Sequence, residues 1–324
     1  MTLIKRLVLS VAACFAAPMV SVVHAQGSYP SKPVSIIVPQ APGGASDVIV
    51  RLLAHQMSQI LGQSVVVENK PGAGGNIGTV YVARTKADGH TLLFNQVAHV
   101  INPALYRKVG YDTERDFMAI ASVADGAFLL VANANSGIKS VADLVAKAKR
   151  QPTEVRYASA GNGTVNHLAG AMLEKTAEIQ LLHVPYKGGA ESAMALATGD
   201  VDISFQAPAS AQPFVQRGQV LILAVTNRQQ QSLLSSTPTV GETVRGYEVT
   251  PWYGLFAPKG TPEPIAQALN AAVNKALASK DLQDKLMALG VTPTPGSRAD
   301  FSRMVSEETL KWQRLVKEAG AQID

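Results

Sequence analysis

The chain alternates short runs of β-branched and aliphatic residues with longer segments whose apolar positions recur every three or four residues. Those two periods separate strands from amphipathic helices. VSIIVP (34–39) predicts a buried strand, and residues 46–61 predict a helix with Val48, Leu52, Leu53, Met57 and Ile60 on one side and Gly62 as its stop. SVVVEN (64–69) and TLLFN (91–95) are further strands, separated by the loop KPGAGGN and the helical segment IGTVYVARTK. A second series follows FMAIASVADGAFLLVAN. Ser140 caps VADLVAKAKR, and then come strand VRYAS (155–159), helix NGTVNHLAGAMLEKT and strand LLHVPY (181–186). Helix GAESAMALATG, stopped by Gly199, leads to strands VDISFQ (201–206) and VLILAVTN (220–227).

This order predicts an α/β protein with parallel sheets covered by helices on both faces. The last third differs: after the loop SSTPTVGET and the strand WYGLFAP, a helix starts at Thr261-Pro262, and three helices run on without strands, the last capped by Ser297 with Asp300. Three such helices are expected to cover the first sheet, so that the chain crosses between two units twice. The expected division is a leader at 1–25, lobe 1 at 26–127 and 228–324, and lobe 2 at 128–227. Two crossings flanking a cleft make a hinge.

The N-terminus reads as a cleavable export signal. Lys5 and Arg6 precede the apolar run Leu7 to Val23, and Val23-His24-Ala25 fits the small-x-small rule for cleavage after Ala25. A retained anchor and a lipoprotein box at Val11 to Cys14 are weaker alternatives, because Pro18 interrupts the run and the run continues past Cys14. Cys14 is the only cysteine among 324 residues, so a chain cut after Ala25 has neither disulfides nor thiolate chemistry. Removing Lys5 and Arg6 lowers the basic side chains from 29 to 27 against 24 acidic ones. The remaining excess is scattered, which excludes a nucleic-acid binder and suits an anionic ligand.

Most catalytic and cofactor motifs fail. GAGGNIG (72–78) has Ile77 where a dinucleotide fingerprint needs its third glycine, and Asn95 ends the strand where a ribose would want an acid. The P-loop, HExxH and GxSxG patterns are absent, and His55, His90, His99, His167 and His183 have no zinc spacing. No cofactor and no metal are expected. What recurs is a glycine-containing turn that runs from a strand into a helix N-terminus, where unpaired N–H groups attract anions. One is PQAPGGASD, with Pro42, Gly43, Gly44, Ala45 and Ser46; it also reads as an ordinary βα turn. The other is SAGNGTVNH, with Ser159, Gly163, Thr164 and Asn166 and with free N–H groups near Gly163; it also reads as a self-capped helix. Tyr186 offers a ring and hydroxyl or simple packing, and Lys187 a ligand contact or a solvated rim charge. Asp202 and Phe205 are placed near the C-terminal end of a strand, where open α/β sheets bind ligands, although Asp202 better suits ordering of nearby backbone, since a carboxylate facing an anionic ligand would repel it.

Taken together, YPSKPVSIIVPQAPGGASDVIVR, VVVENKPGAGGNIG, ASAGNGTVNHLAG, VPYKGGAESAMALATGDVDISF and WYGLFAPKGTP resemble the Bug, or TctC-like, periplasmic solute-binding receptors of tripartite tricarboxylate transporters. The resemblance covers the whole chain after the leader. It implies a two-lobe Venus-flytrap of the type II periplasmic binding class. That fold captures a small mono- or dicarboxylate as a monomer, without catalysis, and delivers it to membrane components. It also implies that a ligand carboxylate is held by Pro42 to Ser46 and by Ser159 to Asn166, partly through water, with Asn95, Tyr186, Lys187 and Phe205 in the part of the pocket that sets specificity. A periplasmic hydrolase or isomerase using the same cleft, and a ligand sensor docking on a histidine kinase, remain as alternatives.

Overall fold

The computed structural model describes residues 29–227, 236–318 and 320–322. The expected leader, Cys14 and the expected boundary at residue 228 lie outside them. The chain opens with β1 (Val34–Val38), α1 (Ala45–Leu61), β2 (Val65–Asn69), α2 (Asn76–Ala83), β3 (Thr91–Gln96), α3 (Ala98–Leu105) and β4 (Phe117–Asp125). It continues through β5 (Leu129–Asn133), α4 (Val141–Arg150), β6 (Arg156–Ser159), α5 (Val165–Ala177), β7 (Leu182–Pro185), α6 (Gly189–Thr198), β8 (Ile203–Gln206), α7 (Pro208–Gln216), β9 (Val220–Val225) and α8 (Val240–Thr243). It closes with β10 (Trp252–Pro258), α9 (Glu263–Leu277), α10 (Lys280–Ala288), β11 (Thr292–Pro293) and α11 (Arg298–Glu318).

Local signals explain many of these boundaries. The side chain of Ser140 accepts from the Asp143 N–H at 3.0 Å, and Ser297 accepts from Asp300 at 3.1 Å, so both helix starts find acceptors for donors that lack an intrahelical partner. Gly62 and Gly199 end α1 and α6 with φ of +66° and +88°, a region glycine enters without a Cβ clash.

Two sheets result, one of six strands in the order β11-β4-β10-β3-β1-β2 and one of five in the order β7-β6-β8-β5-β9. β1, β2 and β3 run parallel, as do β6, β7 and β8, but β10 is antiparallel to β3 and β4, and β5 is antiparallel to β8 and β9. The sheets are therefore mixed where full parallelism was expected. β5 and β10, which enter from the other lobe, run against their neighbours, and β11, between α10 and α11, also runs antiparallel to β4.

On one face of the first sheet, Val34, Ile36 and Val38 pack with Ile49, Leu53 and Met57 of α1 and with Leu269, Val273 and Leu277 of α9. On the other face, Leu93, Val97 and Phe256 meet Phe301 and Trp312 of α11 in a core that continues to Tyr157, Leu168 and Phe205 under the second sheet. The three C-terminal helices thus cover the first sheet as expected, and α11 also reaches α5. No helix among the described residues is long and apolar enough to cross a membrane.

Candidate ligand-binding cleft

Strand register shows how the two sheets confront each other. The parallel strands of the first sheet end at Val38, Asn69 and Gln96. Tyr253 pairs with Gln96 and Trp252 with Asp125, which puts the end of β4 on that same edge. In the second sheet β6 and β8 end at Ser159 and Gln206, and Leu129, the first residue of β5, pairs with Gln206. Asp125 and Leu129 are four residues apart in sequence, a span of no more than about 14 Å when extended. The two C-terminal edges, each with its βα turns, are therefore held face to face at the crossing.

That crossing is braced by hydrogen bonds. Gly126 donates to Pro251 O (2.6 Å), Thr226 to Phe128 O (2.9 Å), Val249 to Thr226 O (2.9 Å), and Asn227 Nδ2 to Gly126 O (2.8 Å).

On the first-lobe edge, Pro42 to Ala45 are exposed and Ser46 is buried at the start of α1. Gly43 stands at φ +81°. Its N–H donates to Asp47 Oδ2 (2.9 Å), while Asp47 Oδ1 accepts from Arg51 Nε (3.0 Å) and Asn69 Nδ2 (2.9 Å). The Arg51 side chain, with the Gly43 and Asn69 donors, holds the buried Asp47 carboxyl down at about 2. Asp47 therefore consumes the Gly43 donor and leaves the amides that open α1, from Ala45 onward, without intrahelical acceptors. Behind them, Asn95 is buried: Oδ1 accepts from Gln96 N–H (2.9 Å) and Gln40 Nε2 (3.2 Å), and Nδ2 donates to Thr79 Oγ1 (3.2 Å). Asn95 thus braces Gln40 at the base of the anion turn.

On the second-lobe edge, Thr164 caps α5, its hydroxyl donating to Gly161 O (2.7 Å) and accepting from His167 N–H. Gly163 N–H is engaged, donating to His167 Nδ1 at 3.0 Å, so the donors that open the helix at Val165 and Asn166 are the ones left over. Of the N–H groups expected free near Gly163, its own is engaged, and those of Val165 and Asn166 remain. Ser159 is fully buried, its Oγ 2.6 Å from His183 Nε2 and 3.1 Å from Gly161 O. His183 stacks between Tyr157 (4.8 Å) and His167 (4.1 Å). Burial first and His167 second push its imidazole down to about 4, and burial lowers His167 as well. Asn166 Nδ2 donates to Phe205 O, tying α5 to the end of β8.

Tyr186 is half-buried and Lys187 exposed at the lip, where the Lys187 N–H donates to Glu191 (3.2 Å). Ser159 and Asn95 are buried behind the edges, and two further expected residues lie away from the cleft altogether. Phe205 is fully buried in the core, because the inward side of β8 carries it away from the edge. Asp202 precedes β8 at the opposite end of the strand, where it accepts from Arg156 N–H (2.9 Å) and lies 3.6 Å from Lys147 Nζ, ordering backbone. Among the described residues no group of His, Cys, Asp or Glu is placed to hold a metal ion.

One contact joins the two edges directly. A Cβ on Gly163 would lie 2.7 Å from Cδ1 and 3.0 Å from Cγ of Leu105, at the end of α3 in the other lobe. The same helix end pins the remaining glycine loop: Asn102 Nδ2 donates to Gly74 O (3.0 Å) and Asn76 Oδ1 (2.7 Å). Sequence reasoning missed Leu105, whose role exists only once the lobes meet, and His167 and His183, which the folding of the second lobe brings together. Asp47 was missed as well, although an acid four residues after Gly43 and four before Arg51, with both partners within one helical turn, was a signal that could have found it.

Residues 49–321 match TctC, the Tripartite tricarboxylate transporter family receptor. A Pseudomonas sp. (strain P51) protein encoded in the tcbD-tcbE intergenic region is 38% identical over 293 residues, 90% of this chain and 87% of its own. BugT of Bordetella pertussis is 31% identical over 301 residues, 91% of this chain and 92% of its own. Among solved structures, a protein of R. palustris with adipate superposes with a TM-score of 0.77 at 34% identity, covering 91% of this chain and all of its own. MatC from Rhodopseudomonas palustris with bound malate does so at 0.73 and 31%, covering 89% and 100%. Matched over residues 49–321 and more than 30% identical to relatives across some nine-tenths of its length, this chain belongs to the TctC family of tripartite tricarboxylate transporter receptors.

Proposed function

We propose that this receptor closes on a small mono- or dicarboxylate, held between the α1 terminus at Ala45 and Ser46 and the α5 terminus at Val165 and Asn166. The observation that carries this reading is the pair of amide-bearing edges held opposite each other, in contact at Gly163 and Leu105. Aligned amide dipoles stabilise a carboxylate without a buried cation beside it. The malate of MatC and the adipate of the other R. palustris protein support a small carboxylate as the ligand class. Closure is a population shift toward the state in which both termini reach the anion.

The lobes divide at 126–128 and at 249–251. Support comes from Thr239, which bridges to Val225, and from Tyr247, whose hydroxyl donates to Ala169 O (3.1 Å), so this return segment rides with the second sheet. The chain acts as a monomer after loss of residues 1–25 on export to the periplasm, where receptors of this family work.

A hydrolase reading draws on the Ser159–His183 contact. Against it stand a fully buried Ser159 and an imidazole pushed down to about 4, a weak base at neutral pH. Calorimetry of the mature chain against C3 to C6 mono- and dicarboxylates, with the acid recovered intact after long incubation, is the expected outcome. Silence across that panel overturns the receptor reading, and turnover of the acid restores the enzyme.

A further inference from the structure

A groove of about 630 Å³ runs between the outer face of α2 and residues 108–110, outside the cleft. Ile77 and Tyr81, one turn apart on α2, are 57% and 46% exposed, and Val80 and Val109 continue the apolar floor. Two cations, Arg84 and Lys108, line it, and no Asp or Glu does among the described residues; Lys70 Nζ, 4.5 Å from the centre of the Tyr81 ring, is already paired with Glu68 (3.7 Å). Neither Arg84 nor Lys108 forms an ion pair among the described residues. An apolar floor with an all-cationic rim selects an acidic, amphipathic partner. A second copy of this chain, whose 27 basic against 24 acidic side chains after the leader leave a net charge of +3, is disfavoured by the same argument.

The groove is also joined to the cleft. α2 starts from the loop that Asn102 of α3 pins at Gly74, and the other wall, 108–110, follows the end of α3, where Leu105 bears on Gly163 of the second lobe. Gly110 closes against Val80, where a Cβ would come within 3.0 Å of the valine. Movement of the second lobe against Leu105 therefore bears on the width of the groove, which gives a partner a surface that differs between the open and closed receptor.

We propose that this groove docks the receptor on the membrane component of its transporter, through an acidic amphipathic segment of that component. The proposal rests on the receptor reading above, and its test is separable from it. The mature chain carrying p-benzoylphenylalanine in place of Tyr81 is irradiated with the transporter's membrane components in nanodiscs, beside a chain with the same replacement at Leu310, an exposed residue of α11. The expected result is a crosslink to the membrane component from position 81 at least fivefold above that from 310, lost in the Arg84→Glu/Lys108→Glu background and weakened by salt. Calorimetry should show that background binding the same carboxylates as the unmodified chain, within twofold. Equal crosslinking from both positions, none from 81, crosslinking only to a second receptor, or a crosslink unchanged by charge reversal would each overturn the docking proposal. Loss of carboxylate binding by the unmodified chain would strike the receptor reading instead.

Discussion

Gly163 is the position where a single methyl group separates closure from folding. Its φ of +75° makes alanine strained in any state, a cost of roughly 1–2 kcal/mol common to the open and closed forms. The second effect is specific to closure, because the new Cβ meets Leu105 across the lobe boundary, at 2.7 Å from Cδ1 and 3.0 Å from Cγ. Leu105 is only 3% exposed and packed into the core around α3, so it cannot swing aside cheaply. Overpacking of this kind costs about 1–3 kcal/mol, and since the open form escapes it, apparent affinity should fall about 5- to 150-fold. Calorimetry with a carboxylate bound by the wild-type chain gives the affinity, and small-angle scattering gives the ligand-induced compaction. Adding Leu105→Ala should restore much of the loss. That change leaves a core cavity costing about 2–5 kcal/mol of stability, so thermal melts must confirm that each variant is folded at the assay temperature. Affinity of Gly163→Ala within twofold of wild type, or a deficit indifferent to residue 105, would refute the reasoning.

Three further outcomes are expected. Asp47→Asn weakens the acceptor that Gly43 and Arg51 share; it should lower the melting temperature, by an amount equivalent to about 1–3 kcal/mol at neutral pH, and reduce carboxylate affinity, with unchanged affinity counting against the braced turn. Because the folded Asp47 titrates near 2, well below its unfolded value, that stability is present at neutral pH and disappears as pH falls through about 2, which melts of both proteins at low pH will follow. Asp202→Asn should destabilise the start of β8 and leave carboxylate affinity unchanged in the same calorimetric assay, since the side chain serves Arg156 and Lys147 away from the cleft. His183 takes up its proton near 6.5 when unfolded and near 4 when folded, so the unfolded chain binds more protons between those values and stability falls on acidification. Melts from pH 7.5 to 4 should therefore show a shallower slope for His183→Gln than for wild type, and equal slopes would contradict the assignment.

What the sequence disclosed follows from which interactions are local. Helix stops at Gly62 and Gly199, the caps at Ser140 and Ser297, and strands β1 to β3 and β6 to β10 depend on neighbours within a few residues, and the structure places them within a residue or two of expectation; β4 and β5 were not resolved as strands, and β11 falls between helices that were expected to run on without one. α3 and α7 were not anticipated, because Pro103 and Pro213 lie inside them and mask the helical signal that tertiary packing supplies. The directions of β5 and β10 were invisible for another reason, since they depend on which lobe the strand arrives from. In the cleft, the two glycine turns could be read, because a strand, a flexible turn and a helix start are adjacent in sequence. Phe205 could not be placed from its sequence neighbours, since which side of β8 meets the core is decided by partners 40 or more residues away, Tyr157 among them. The stacked pair of His167 and His183 brings together residues from α5 and β7 that no spacing rule connects.

The central claim is that opposed helix termini from both lobes grip one anion. A crystal structure of the mature chain grown with the carboxylate that binds best in calorimetry tests it most directly. The account predicts a carboxylate enclosed between the lobes, its oxygens within hydrogen-bond reach, directly or through one water, of the amides opening α1 at Ala45–Ser46 and α5 at Val165–Asn166. A ligand that touches one lobe alone, or one whose carboxylate is held by lysine or arginine side chains away from both termini, would contradict it.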